Sequence, residues 1–137
     1  MRVMVFGTFD NLHPGHLDYF RQARFFGEEL IVIVARDKNV LKKKGKLAQE
    51  DQETRLAKVR ATLKTLGYSG RAVLGSATDC WSVLVKYRPE VVALGYDQEV
   101  DIVRLKSEIK KSRLFCKIKR LKAYQPDKYK SSYCRPK

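Results

Sequence analysis

Residues 7–16 read GTFDNLHPGH, and they follow at once on Arg2-Val3-Met4-Val5-Phe6, a short apolar run suited to a buried strand. Pro14 stands where a helix can begin, because its fixed φ suits the first helical position and its missing N–H is not needed there. Leu17, Phe20, Ala23 and Phe26, spaced three apart, then give that helix an apolar stripe. The stretch therefore predicts strand, tight loop, helix, with His13 and His16 on the first helical turn. A helix start offers unpaired N–H groups and a partial positive charge, which together favour phosphate. Two imidazoles there add donors over the same anion, and both are expected to titrate near neutrality and become cations beside a polyphosphate. A zinc site is a poorer reading, since zinc takes at least three protein ligands and no cysteine lies near. An ordinary pair of surface or core histidines is the plain alternative, but these are the chain's two histidines and both fall in one turn.

Working outward, Glu29-Leu30-Ile31-Val32-Ile33-Val34-Ala35 is apolar without alternation, the pattern of a central parallel strand covered on both faces. Strand, helix and strand within 35 residues make a βαβ unit, whose ligands bind beyond the carboxyl ends of the strands. The first loop and the segment Asp37 to Lys46 both emerge on that edge. Arg36 to Asn39 reads as a polar turn, and Lys42-Lys43-Lys44-Gly45-Lys46 as a basic loop, either merely solvated or able to close over a triphosphate with Gly45 as the bend. A helix from about Asp51 to Leu66 carries Leu56, Val59, Leu63 and Leu66 on one stripe, with Arg55 off it. Arg71 to Leu74 is a short third strand and Thr78 to Tyr87 a third helix, in which Trp81 packs on the sheet. Val91 to Leu94 is the fourth strand and runs into Gly95-Tyr96-Asp97-Gln98, where glycine permits close approach to a ligand. A helix over about Val100 to Ser112 and an alternating, lysine-studded edge strand over Phe115 to Leu121 complete the pattern.

GTFD followed by His13-Pro14-Gly15-His16 resembles the HxGH signature of the nucleotidyltransferase superfamily, in its cytidylyltransferase-like branch. That branch includes glycerol-3-phosphate cytidylyltransferases and single-domain FAD synthases of archaeal type. The resemblance runs from the first strand to the terminal motif. It implies an α/β, Rossmann-like, doubly wound parallel sheet of five strands in the order 3-2-1-4-5, with helices on both faces. It also implies roles for residues. His13, His16, Lys43 and Lys46 would be catalytic, and Gly7, Thr8, Phe9 and Gly15 would hold the nucleotide. The EDQETR segment, Glu50 to Arg55, resembles the family's E-x-x-R, implying a substrate-phosphate contact for Arg55. VARDKNVLKKKGK and GYDQ resemble segments of archaeal-type FAD synthases. They put Asp37, Asn39 and Tyr96 toward substrate, and Gly95 and Asp97 toward the nucleoside, with Asp97 also a candidate to hold Mg²⁺ through water. Tyr129 to Arg135 resembles a closing S-S/T-x-x-R motif, with Ser131 and Ser132 on the polyphosphate. Here it departs from the pattern, because Pro136 discourages a continuing helix.

Length and charge set the outer limits. At 137 residues one domain, 1–137, is expected, burying about two-thirds of its unfolded surface. No apolar run approaches the ~20 residues needed to span a bilayer. With a strand starting at residue 2 and Cys80, Cys116 and Cys134 lacking CxxC spacing, free thiols in the cytoplasm are expected. The net charge is +14, of which the segment from residue 101 onward contributes +10, which points to an anionic partner or else a solvated basic face. The favoured activity is adenylyl transfer from ATP to FMN, with a divalent cation such as Mg²⁺ bridging the phosphates. The alternatives are transfer from CTP to glycerol 3-phosphate or a similar alcohol, and a non-catalytic nucleic-acid-binding domain. Relatives suggest a homodimer, and no membrane partner is expected.

Overall fold

A computed structural model of the chain describes residues 1–76, 81–96, 98 and 100–123. Ten elements follow one another: β1 (Arg2–Gly7), α1 (Pro14–Arg24), β2 (Glu29–Val34), α2 (Asp37–Lys44), α3 (Gln52–Leu66), β3 (Ser69–Leu74), α4 (Ser82–Tyr87), β4 (Val91–Leu94), α5 (Ile102–Lys111) and β5 (Lys117–Arg120). The strands form one sheet in the order β3-β2-β1-β4-β5, and every neighbouring pair is parallel. The expected α/β sheet and its order are those observed.

Alternation along β1 sorts the core into two layers. Val3 and Val5 face one way and pack with Phe20 and Ala23 of α1 and Val59 and Leu63 of α3. Met4 faces the other way and packs with Val83 and Leu84 of α4 and Leu105 and Ile109 of α5. Burial on both faces explains why β2 shows no polar alternation. Fully buried side chains such as Phe20 and Leu30 contribute about 1.5–3 kcal/mol each in area removed from water.

Some boundaries differ from the sequence expectation. Asp37 to Lys44 is a helix rather than a turn and loop. An acidic residue in its first turn and three lysines in its last complement the helix dipole, and Val40 is its buried anchor. Gly45 ends it in the left-handed conformation at φ 78°, so the glycine is a helix stop. Ser69 and Gly70 belong to β3 rather than to a turn. Gly70 pairs with Leu30, and a Cβ there would stand 1.9 Å from the Leu30 carbonyl oxygen. Helix α4 starts at Ser82, with residues 77–80 outside the described ones. β5 is shorter than expected and leaves Phe115 exposed before it.

Candidate active site

β1 hands the chain to the loop 8–12 at the carboxyl edge of the sheet. Phe9 and Asn11 both sit at positive φ, 57° and 50°, a conformation that costs a bulky side chain about 1–3 kcal/mol unless its surroundings fix it. Here they do. The Phe9 ring is buried in the core, and a Cβ on Gly7 would lie 2.7 Å from its Cζ, so Gly7 is the residue that makes room. The Asp10 carboxylate accepts N–H bonds from Gln49 (2.8 Å) and Glu50 (3.0 Å), and Asn11 N–H donates to Glu50 Oε1 at 2.9 Å. The loop is thus zipped to the segment leading into α3.

The histidines form the start of α1. His13 is the N-cap; its Nδ1 accepts the Gly15 N–H at 3.0 Å, while His16 Nδ1 accepts the His13 N–H at 3.3 Å. The rings stack with centroids 3.9 Å apart and an interplanar angle of 27°. With both Nδ1 atoms accepting, a neutral imidazole carries its proton on Nε2, which leaves one N–H donor per ring. Gly15 is needed for this cap, since a Cβ there would fall 2.7 Å from His13 Cε1. Phe9 supports His16 edge-on at 5.6 Å.

The protonation state departs from expectation. Burial, then the neighbouring His13 and Lys44 charges, push the His16 pKa down to about 4, against a smaller pull from Asp10. Burial lowers His13 as well, although it is the more exposed ring. In the free protein at neutral pH the pair is therefore uncharged, and it offers oriented N–H groups rather than two cations.

Arg55 also corrects an expectation. It is fully buried, and its fork donates to the Glu50 carbonyl (Nε, 3.0 Å), the Thr8 carbonyl (Nη1, 2.8 Å) and Asp37 Oδ1 (Nη2, 2.8 Å). A guanidinium enclosed this way ties the loop 8–12 to the starts of α2 and α3. Asp37 belongs to the same tie, its Oδ2 accepting the Gln52 N–H at 3.2 Å. Asn39 Nδ2 bonds the Ser76 carbonyl at 3.1 Å and so anchors α2 to the end of β3. The Phe9 side chain, being core, is likewise not a nucleotide-facing ring.

Lys43 and Lys46 are exposed on and just after α2. Lys44 is the lysine that reaches the first loop, donating to Thr8 Oγ1 at 3.2 Å. Gly95 and Gln98 lie beside the end of β1. Gln98 Nε2 donates to the Phe6 carbonyl at 3.0 Å, and Gly95 N–H donates to Gln98 Oε1 at 3.1 Å. Tyr19 OH donates to the Ala93 carbonyl at 2.8 Å. Arg120 Nη1 bonds the carbonyls of Gly95 (2.8 Å) and Gln98 (2.6 Å). Tyr96, next to Gly95, is half-buried. Asp97, Ser131 and Ser132 lie outside the described residues, as do Cys80 and Cys134. On the opposite face of the sheet a cavity of ≈ 430 Å³ is lined by Phe6, Lys43, Trp81, Leu94, Gln98, Val100, Asp101 and Leu105.

Asp10, Glu50, Tyr19, Gln98 and Arg120 hold this edge together, and sequence reasoning gave none of them a role. Asp10 was visible within GTFD and Glu50 within EDQETR; Tyr19, Gln98 and Arg120 bond Ala93, Phe6 and Gly95, which lie 74, 92 and 25 residues away.

Residues 4–137 match the family model described as cytidylyltransferase-like. The chain belongs to the cytidylyltransferase-like family. Among curated relatives of this nucleotidyltransferase, the FAD synthase of Archaeoglobus profundus is 39% identical over 132 residues, covering 96% of this chain and 81% of the relative. The FAD synthase of Methanosarcina acetivorans is 45% identical over 120 residues, covering 88% and 76%. Among solved structures, one described as a lipopolysaccharide core biosynthesis protein from Thermoplasma volcanium superposes with a TM-score of 0.81 at 37% identity, covering 91% of this chain and 98% of that one. Among the described residues of the cytidylyltransferase-like chain, no helix is long and apolar enough to cross a membrane.

Proposed function

We propose that the protein joins FMN to the AMP moiety of ATP, giving FAD and pyrophosphate. A phosphate oxygen of FMN attacks the α-phosphorus of ATP, and the bond from that phosphorus to the bridging oxygen of pyrophosphate breaks. The attacking phosphate is already anionic at neutral pH, so no base has to deprotonate it. The work left is alignment and stabilisation of developing charge.

The observation that carries this reading is the stacked, mutually capped pair His13–His16, with both Nε2–H groups left to donate. Phosphoryl oxygens would accept from these two groups, with Gly7, Thr8 and Gly15 assigned to the nucleotide beside them. Lys43 and Lys46 supply mobile charge for the triphosphate. Gly95, Tyr96 and Asp97 are assigned to the nucleoside, and Ser131 and Ser132 to the polyphosphate.

A divalent cation such as Mg²⁺ fits only in one way. Among the described residues no cluster of three His, Cys, Asp or Glu is available to hold it, and both Asp10 oxygens are engaged by backbone N–H groups. Magnesium readily keeps its waters and binds through substrate phosphates with one or two carboxylates. It would thus arrive with ATP, with Asp97 as the carboxylate assigned to a water-mediated contact, and would neutralise phosphate charge.

The test offers ATP or CTP with FMN, glycerol 3-phosphate and other phosphorylated acceptors, and measures pyrophosphate and product mass. FAD from ATP and FMN is expected. A cytidylylated alcohol from CTP would replace this reading, and no pyrophosphate from any pair, with RNA binding that falls steeply with salt, would reject it.

A further inference from the structure

Resting on the reading above, we infer that the cavity on the α4/α5 side of the sheet is the pocket for the acceptor's isoalloxazine ring, with Trp81 as one wall. At ≈ 430 Å³ it falls within the roughly 300–1,000 Å³ typical of small-molecule sites, and it is far more room than a three-carbon phosphorylated alcohol needs. Phe6, Leu94, Val100, Leu105 and Trp81 give it apolar walls. Arg104 lies over the indole at 5.9 Å from its centroid and holds it in place.

The polar groups in the lining decide which ring belongs there. Gln98 bonds Phe6 and Gly95 through its side chain, and Asp101 Oδ1 caps α5 by accepting the Arg104 N–H at 2.9 Å. The Gln98 amide is thereby committed within the protein at both ends, and one Asp101 oxygen is committed to the helix cap. A dimethylbenzenoid ring edge needs no hydrogen-bond partner, and burying it against apolar walls is favourable without one.

Position fits as well. Phe6 and Leu94 stand at the carboxyl ends of β1 and β4, so the cavity opens from the same sheet edge as the histidine turn but on the other face. Adjacent lysines of α2 serve the two sides: Lys44 reaches Thr8 in the histidine loop, and Lys43 lines the cavity. A ring seated in the cavity would leave its phosphate near Lys43, directed over the strand tips toward the nucleotide.

Trp81 is the chain's single tryptophan, so its emission reports binding without turnover. Titration of the wild-type protein with FMN, riboflavin and lumichrome (the alloxazine without a side chain, carrying the same dimethylbenzenoid edge) is expected to quench it saturably in all three cases, with FMN binding tightest. Val100→Phe, which fills the cavity, is expected to abolish lumichrome quenching and raise the FMN KM by about tenfold or more while leaving the ATP KM unchanged. Lys43→Met, on an exposed helix position, is expected to keep lumichrome binding and narrow the gap between FMN and riboflavin. The inference is overturned if FAD forms but lumichrome does not bind, or if folded Val100→Phe keeps the wild-type FMN KM. Lumichrome binding lost on Val100→Phe, in a protein that makes no FAD, would uphold the pocket and reject the assigned activity.

Discussion

Arg55 and Lys43 are both cations at the carboxyl edge of the sheet, and both have sequence surroundings that point them at phosphate. Burial separates them. Arg55 is fully enclosed and each arm of its fork has a fixed acceptor, whereas Lys43 is exposed on the outer turn of α2. A planar fork with three acceptors is a rigid tie, while an ammonium on a flexible stem is a charge that can follow a ligand. In so basic a chain, positive charge alone does not identify a site residue; the state of its donors does.

The sharpest way to break the comparison is Arg55→Met. Removing the guanidinium leaves the Asp37 carboxylate and the carbonyls of Thr8 and Glu50 without their donor, which costs about 3–5 kcal/mol of stability. A large drop in the urea midpoint is expected, with Arg55→Lys recovering only part of it. An unchanged midpoint together with a raised substrate KM would make Arg55 a substrate contact after all. Next in size is His16→Ala. Loss of one aimed donor should lower kcat about a hundredfold, or ~3 kcal/mol in the transition state. Its capping bond to His13 adds about 1 kcal/mol to the stability side. Wild-type turnover in a folded His16→Ala protein would remove the histidine pair from the chemistry.

Much of this was legible in order along the chain. Continuous apolar runs announced the parallel strands, and Pro14 with the two histidines marked the start of α1, because these are local effects read over a few residues. The helical state of Asp37 to Lys44 was harder to see, since four lysines around one glycine look like a solvated loop until Val40 is known to be buried. The burial of Arg55 was not legible at all. Its three acceptors come from Thr8, Asp37 and Glu50, brought together only when the loops after β1 and β2 meet the start of α3. The neutral state of His16 is of the same kind, because desolvation is a property of the packed loop and not of the motif.

Lys43→Ala supplies the other half of the comparison. An exposed lysine that contacts phosphate through a charge-assisted bond is worth about tenfold in kcat/KM. The urea midpoint should stay at the wild-type value, and the loss should shrink as salt screens the wild-type interaction. A stability change equal to that of Arg55→Met would erase the distinction between tie and arm.

The remaining effect concerns protons, is small near neutral pH, and has opposite signs for folding and binding. The His16 pKa falls from an ordinary 6.5 to about 4 in the folded protein. The unfolded chain therefore takes up a proton there before the folded one does. The stability contributed by this group is complete above pH 6.5 and drains away as the pH falls toward 4. The wild-type urea midpoint should fall between neutral and mildly acidic pH, and His16→Gln should flatten that fall. A bound triphosphate reverses the balance, since its negative charge beside the stacked rings raises their pKa values. Binding then draws protons from solution, and this contribution to affinity grows as the pH is lowered through the same window. Calorimetry of ATP binding in two buffers with different ionisation heats reads the uptake directly. The difference between wild type and His16→Gln cancels ATP's own protonation, and a zero difference would mean that no phosphate comes near the imidazole pair.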